Sequence, residues 1–369
     1  MDIERLAKPS LAGLRPYAPG KPVEVVQRER QTTQSFIKLA SNENPYPPHQ
    51  SVRDAIMREL SRQGNRYPES GCYYLVHALA GQLGVPPGDI FVGNGSNEIL
   101  DLLMRAFVAP GENCIFPYPS FVVYPMICRL GEVEGVSVAN RDEFYLDLKA
   151  IRTAVDEKTK IVFLCNPNNP TGTYYTAKEF DTFLSDLPER VLVVVDEAYF
   201  EYVTARDYPE SLKVREKRNT IIILRTFSKM YSLASVRIGY AIADPVVVQC
   251  LHKVRQPFNV NRIAQAAALA SLEHREEIFE VVRETIRERE TVRERLLELE
   301  CTVPPSQTNF LYVVPPERDY DFCDALLDRG VIVRNMRAWG GGANTFRVTL
   351  GTPDENARFL EAIAAILRS

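Results

Sequence analysis

The sequence has no Cys-x-x-Cys pair, and its seven cysteines (72, 114, 128, 165, 250, 301 and 323) are odd in number and scattered. That excludes a zinc knuckle and a dithiol redox centre, and it reads as reduced core thiols of a cytoplasmic protein. Histidine is scarce: four residues, at 49, 77, 252 and 274, lie apart, with neither metal-ligand nor Ser-His-Asp spacing, so no metal is expected. Neither charge sign dominates. Lysine plus arginine number 44 against 48 aspartate plus glutamate, a net charge of −4 with no one-signed block to steer a polyanion, so nucleic acid is not an expected partner. Long apolar runs are missing as well. The strongest, such as 191–195, fall far below a membrane span, and the charged start Met1-Asp-Ile-Glu-Arg-Leu-Ala-Lys-Pro has no apolar export core, so neither insertion nor export is expected. No Walker-type Gly-Lys-Ser/Thr occurs, and Gly93-x-Gly95 fails as a dinucleotide fingerprint because the third glycine position is Glu98.

What is present is ordinary globular composition, 45% hydrophobic and 25% charged, over 369 residues, enough for about two domains. The first fifty residues are proline-rich and aperiodic, which favours an extended arm over regular elements. Short β-branched runs then appear at 90–92, 161–165, 191–195 and 221–224, separated by helical stretches such as 97–108 and 177–187. That alternation predicts an α/β fold, a mostly parallel sheet between two layers of helices. Residues 276–300 keep apolar positions at helical spacing amid dense charge and read as a connecting helix of roughly 37 Å at 1.5 Å per residue. Strand-like 309–313, helix-like 321–329, strands near 331–334 and 345–350, and a final helix at 354–367 suit a small α+β unit. The expected division is an arm at 1–50 that is part of the small domain, a large domain at 51–275, the connector at 276–300 and the small C-terminal domain at 301–369.

In an open parallel sheet, ligands sit outside the carboxyl ends of the strands. Four polar segments follow the apolar runs: Gly93-Asn-Gly-Ser-Asn-Glu98, Asn166-Pro-Asn-Asn-Pro-Thr-Gly172, Asp196-Glu-Ala-Tyr199 and Arg225-Thr-Phe-Ser-Lys229. Singly, each reads as a helix cap or a turn. Together they meet the demands of one cofactor. The Gly-Ser-Asn loop opening a helix offers N–H groups to a phosphate, and Thr226, Ser228 and Arg237 add hydroxyls and a cation. Lys229 is an amine near an arginine, an arrangement that lowers its pKa and makes it an imine-forming nucleophile, while Asp196 on a neighbouring strand end suits a protonated ring nitrogen. A phosphate cradle, an aldehyde partner and an acid for a pyridine are the requirements of pyridoxal 5'-phosphate.

These segments, in this order and with Arg237-Ile-Gly-Tyr240 after Lys229, resemble the fold type I pyridoxal-phosphate aminotransferases. Lys38-Leu-Ala-Ser-Asn-Glu-Asn-Pro45, Arg66-Tyr-Pro68, Ser306-Gln-Thr-Asn-Phe310 and Phe346-Arg-Val-Thr-Leu-Gly351 are similar to the histidinol-phosphate aminotransferase branch, and the likeness runs from about Tyr17 to the final helix. The resemblance implies a seven-stranded sheet in the large domain, with the small domain built from the N-terminal arm and the C-terminal segment. It implies Lys229 as the amine bonded to the cofactor and the shuttle of the substrate proton, Asp196 on the ring nitrogen, and Asn169 and Tyr199 on the ring's 3-oxygen. Phe121 would stack on the ring; Ser96, Asn97, Thr226, Ser228 and Arg237 would hold the phosphate, with Tyr67 reaching it from the other subunit of a homodimer. Arg347, assisted by Arg334, would bind the substrate's anionic end, with Tyr17 and Asn309 on the same side. The implied reaction moves an amino group between L-histidinol phosphate and 2-oxoglutarate in histidine biosynthesis. An aromatic amino-acid transaminase shares nearly all these motifs, and a pyridoxal-phosphate decarboxylase of a phosphorylated amino acid would share Lys229 and Asp196. One stretch departs from the pattern: Met230-Tyr-Ser-Leu-Ala-Ser-Val-Arg237 has serine, at 232 and 235, where the family usually shows glycine.

Overall fold

A strand buried on both faces needs a continuous apolar run rather than an alternating one, and the runs at 161–165, 191–195 and 221–224 are of that kind. The computed structural model describes residues 6–14, 16–17, 20–342 and 344–368. The charged opening at 1–5, with Arg15, Ala18 and Pro19 of the proline-rich arm, Ala343 and Ser369, lies outside the described residues. In chain order the strands are β1 (Ile37–Lys38), β2 (Ile90–Gly93), β3 (Asn113–Tyr118), β4 (Glu134–Ala139), β5 (Thr159–Cys165), β6 (Leu192–Asp196), β7 (Ile221–Thr226), β8 (Gly239–Ile242), β9 (Phe310–Val313), β10 (Val331–Ile332), β11 (Arg334–Asn335) and β12 (Phe346–Thr349).

Strands β2 to β8 form one seven-stranded sheet in the order β2-β8-β7-β6-β5-β3-β4. All neighbours are parallel except at β8, which runs antiparallel to both β2 and β7. Period-two geometry sorts the apolar side chains between two cores. Val162, Leu164, Val193, Val195, Ile221 and Ile223 enter one, and Ile161, Phe163, Leu192, Val194, Ile222 and Leu224 enter the other. Register then fixes the rim: Cys165 faces Asp196, Asp196 faces Leu224, and Thr226 and Gly93 both face Gly239. The polar segments following β2, β5, β6 and β7 therefore emerge side by side.

A three-stranded antiparallel sheet, β11-β12-β9, packs with the helices Phe322–Asp328 and Pro353–Arg368 around a third core. The N-terminal segment joins it, because β1 pairs in parallel with β10 and Ile37 and Leu39 enter that core. The helix expected at 276–300 forms as Arg275–Glu298; its Ile278 and Val282 belong to the first core and its Val292 and Leu296 to the third.

The arm is more regular than its prolines imply. Helix Val23–Arg30 begins directly after Pro22 and ends at Gln31, whose φ is 50°. Proline is compatible with the start of a helix, because the first-turn N–H groups have no intrahelical partner anyway. Strands β3, β4 and β8 have no counterpart among the expected runs: β3 contains Pro117, β4 is a largely exposed edge containing Gly135, and β8 has four residues. Each weakens the local strand signal.

Candidate active site

The rim encloses a cavity of about 250 Å³ into which β6 and β7 deliver the chemistry. Asp196, the last residue of β6, is 2% exposed; its Oδ2 accepts from the Tyr124 hydroxyl at 3.1 Å and its Oδ1 has no hydrogen-bond partner among the described residues. Burial raises its carboxyl to about 6, against the opposing pull of the Tyr124 hydroxyl and the Ala198 N–H. Tyr124, itself fully buried, is clamped parallel to Phe163 at 5.0 Å.

Lys229 follows β7, and its Nζ donates to the Asn42 carbonyl at 3.0 Å. Its ammonium is lowered to about 8, by burial first and then by Arg347, with Arg237 a lesser contributor and Glu43 and Asp196 opposing. The expected cause, a nearby arginine, is thus secondary to desolvation. Tyr199 is 3% exposed, and its hydroxyl oxygen receives Asn42 Nδ2 at 2.9 Å and Asn169 Nδ2 at 3.3 Å. Burial pushes this phenol above its ordinary range.

At the opposite end, helix Ser96–Phe107 opens without any side-chain cap, its N-cap being Gly95 at φ 80°. A Cβ at Gly95 would collide with the Arg237 guanidinium, and one at Gly239 would lie 2.7 Å from the Ser96 nitrogen, so both glycines permit the close approach that forms this corner. Ser96, Asn97, Thr226, Ser228 and Arg237 line it together. Arg237 Nη1 donates to the Ala234 carbonyl at 3.0 Å and to Ser228 Oγ at 3.5 Å. Uncapped N–H groups, hydroxyls and a guanidinium make a cradle for an anion. Phe121 lines the cavity edge-on to Tyr124. Of the two serines at usual glycine positions, Ser232 has φ 57° and carries left-handed strain, whereas Ser235 is not among the positive-φ residues.

Arg347, 5% exposed on β12, donates to Asn169 Oδ1 and, at 3.2 Å, to the Ala40 carbonyl, with its guanidinium 5.1 Å from the Phe310 ring centroid. Burial lowers it to about 10. Arg334 on β11 is its direct cross-strand neighbour and lies over Trp339 at 5.0 Å and Tyr17 at 5.8 Å.

Twelve of the fifteen residues singled out from the sequence line this cavity, and Asn309, Arg334 and Tyr67 do not. Asn309 sits immediately behind the wall, donating to the Asn42 carbonyl at 3.2 Å. Arg334 is set back behind Tyr17 and Trp339, which do line the cavity. Tyr67 is 77% exposed and stacks on Phe258, away from the cavity of its own chain. Three participants went unassigned in the sequence. Asn42 lies inside the 38–45 motif, Trp339 is the lone tryptophan, and Tyr124, three residues after Phe121, has no local signal. Among the described residues no group of three or more His, Cys, Asp or Glu is gathered to hold a metal ion, and no helix is long and apolar enough to cross a membrane.

The family model described as aminotransferase class I and II matches residues 34–363. A curated relative, histidinol-phosphate aminotransferase 2 of Carboxydothermus hydrogenoformans, is 41% identical over 98% of this chain and 99% of its own length. Histidinol-phosphate aminotransferase of Anaeromyxobacter sp. is likewise 41% identical, over 98% and 99%. Among solved structures, histidinol-phosphate aminotransferase from Sinorhizobium meliloti, in complex with pyridoxal-5'-phosphate, superimposes with a TM-score of 0.87 at 27% identity, covering 98% of this chain and 97% of that one. With the rim chemistry, the sheet order and these full-length matches in agreement, the chain belongs to the aminotransferase class I and II family.

Proposed function

We propose that this protein is a pyridoxal 5'-phosphate-dependent transaminase that moves an amino group between L-histidinol phosphate and 2-oxoglutarate in histidine biosynthesis. The observation that carries the substrate assignment is the register of Arg334 opposite Arg347. Like charges directly opposite on a sheet repel, and an anion bound in the cavity at Arg347, with Arg334 set back behind Tyr17 and Trp339, offsets that repulsion. The dianionic phosphate of histidinol phosphate suits the Arg347 guanidinium reinforced by the charge of Arg334 behind it, and glutamate and 2-oxoglutarate each bring two carboxylates. Phenylalanine brings one. The relatives at 41% identity, named for the histidinol-phosphate reaction, support the same assignment.

The residues present fit the cofactor. The unpartnered Oδ1 of buried Asp196 suits a protonated ring nitrogen, and the capless helix start beside Gly95 suits a phosphate. Asn169 and Tyr199 would hold the ring's 3-oxygen, Phe121 its face, and Ser96, Asn97, Thr226, Ser228 and Arg237 the phosphate. Pyridoxal 5'-phosphate, when bound, supplies an aldehyde carbon and a ring that stabilises negative charge at the amino donor's Cα. Lys229, at about 8, keeps a neutral fraction near neutral pH and so serves both as the nucleophilic amine and as the base that takes the Cα proton. Arg347 orients the donor, with Arg334 adding positive charge behind it, and Tyr17 and Trp339 line that side of the cavity.

The exposed, stacked Tyr67 supports a homodimer in which it serves the partner's site. Seven free thiols support a cytoplasmic location. The Arg275–Glu298 helix, which joins the first core to the third, supports a division into an arm at 1–50, a large domain at 51–275, a connector at 276–300 and a small domain at 301–369. The test is glutamate formation from 2-oxoglutarate with either L-histidinol phosphate or L-phenylalanine as donor. Turnover with histidinol phosphate alone supports the assignment, preference for phenylalanine moves it to an aromatic transaminase, and carbon dioxide release without glutamate would make it a decarboxylase.

A further inference from the structure

Asn42 stands where the elements around the reactive end of the cavity converge, and every polar group it owns is engaged. It is 1% exposed with φ 54°, a left-handed conformation that asparagine tolerates better than most residues. Its N–H donates to Thr349 Oγ1 at 2.9 Å, and its carbonyl accepts from Lys229 Nζ at 3.0 Å and Asn309 Nδ2 at 3.2 Å. Its side chain accepts from Thr349 Oγ1 at 3.2 Å and donates to the Tyr199 hydroxyl at 2.9 Å.

The direction of each bond follows by elimination. Thr349 Oγ1 accepts from the Asn42 N–H, so its own hydrogen goes to Asn42 Oδ1 and leaves Nδ2 facing Tyr199. On the other side, a guanidinium can only donate. The Asn169 atom that Arg347 touches is therefore Oδ1, and Asn169 Nδ2 faces the same phenol. A phenolic oxygen has limited acceptor capacity and one hydrogen to give. Two amides take up the acceptor side, and the hydrogen is directed elsewhere, to the cavity that Tyr199 lines.

We propose that Asn42 is a positioning residue that, together with Asn169, locks the Tyr199 hydroxyl as a hydrogen-bond donor toward the cavity, while its carbonyl holds the free amine of Lys229 alongside. The inference rests on the reading of Tyr199 as the partner of the cofactor's 3-oxygen. That oxygen, ionised or sharing its proton, is an acceptor that rewards a phenol already committed to donating. If the Asn42 amide is replaced by a group that accepts, the phenol turns its hydrogen away from the cavity and the 3-oxygen loses its donor.

Two variants separate this from a merely structural role. Asn42→Asp keeps shape, backbone conformation and carbonyl but replaces the donor with an acceptor; Asn42→Gly keeps the left-handed backbone and the carbonyl without adding charge. The experiment is equilibrium binding to the apoprotein of pyridoxal 5'-phosphate and of 3-deoxypyridoxal 5'-phosphate, which lacks the 3-oxygen. Quenching of Trp339, the lone tryptophan and a lining residue of the cavity, provides the readout. General damage to the site, including added charge near Lys229, lowers both affinities and cancels in their ratio. We expect the preference for pyridoxal 5'-phosphate over the deoxy analogue to fall roughly tenfold or more in Asn42→Asp, and by a smaller factor in Asn42→Gly, where water can substitute. The Tyr199→Phe variant calibrates the ratio. If Tyr199→Phe reduces the preference and both Asn42 variants retain the wild-type ratio, the positioning role is overturned. If Tyr199→Phe leaves the ratio unchanged, the reading of Tyr199 itself fails and the inference falls with it.

Discussion

Asp196 and Lys229 are each held in an environment that disfavours the charged form, which is how an active site stores reactivity. The sequence revealed which residues these are, because acids and amines after apolar runs stand out. It did not reveal why their chemistry is shifted: the chief cause is burial, with Arg347 from β12 second for Lys229, and neither is local in sequence. On the proposed roles of these two residues, cofactor uptake needs Asp196 ionised and Lys229 neutral. Asp196 is protonated below about 6 and Lys229 below about 8, so the rate of pyridoxal phosphate uptake by the apoprotein rises with pH through both values and levels off above the second. Stopped-flow mixing across that window checks this, and a flat profile contradicts it. Stability carries the opposite sign for Asp196. Its carboxyl is raised from 3.8 to about 6, so ionisation costs folding free energy fully above the higher value and nothing below the lower. Asp196→Asn should therefore stabilise the apoprotein by on the order of 2 kcal/mol at alkaline pH while abolishing turnover, and the gain should vanish at low pH in urea melts. Ser232 gives a milder case. The sequence marked an unusual serine, and the structure supplies its φ of 57°; Ser232→Gly should raise stability by about 1 kcal/mol.

At the scale of elements, the strand ends decide the site. Thr226 and Asp196 enter the cavity, while the residues beside them, Arg225 and Glu197, point away and pair with each other at 2.9 and 2.8 Å. Arg225 also lies 3.7 Å from the Phe200 ring centroid, and both charged groups are nearly inaccessible. This brace ties the ends of β6 and β7 together. Arg225→Met leaves a buried carboxylate without its cation and should cost about 3–5 kcal/mol of stability, read from the denaturation midpoint; a loss below about 1 kcal/mol would mean the pair bears no such load. Long apolar strands were legible for the same reason that they are central: burial on both faces leaves an uninterrupted run. The edge strand β4 and the short β8 were not, since pairing with neighbours far away in sequence creates them. Helix Val23–Arg30 was hidden by surrounding prolines that mark its start rather than prevent it.

Across the whole molecule, one 24-residue helix links the first core to the third, and the N-terminal segment closes over the site through Asn42 while pairing with β10. Such convergence of distant segments has no local signature, which is why Asn42 passed as motif context while Lys229 did not. Tyr67 belongs to this scale too. Tyr67→Ala should leave the fold intact and weaken cofactor retention, and sedimentation should show a dimer; a monomer with full activity would remove the shared-site reading. The central claim is that this cavity takes the amino group from L-histidinol phosphate through Lys229. The most direct measurement mixes the yellow cofactor-loaded protein with L-histidinol phosphate, no 2-oxoglutarate present, and follows the visible absorbance over one half-reaction in wild type and Lys229→Ala. Rapid bleaching in the wild type, lost in the variant and far slower with L-phenylalanine, is the predicted result, and no bleaching by histidinol phosphate, or equal bleaching by the lysine-free protein, would contradict it.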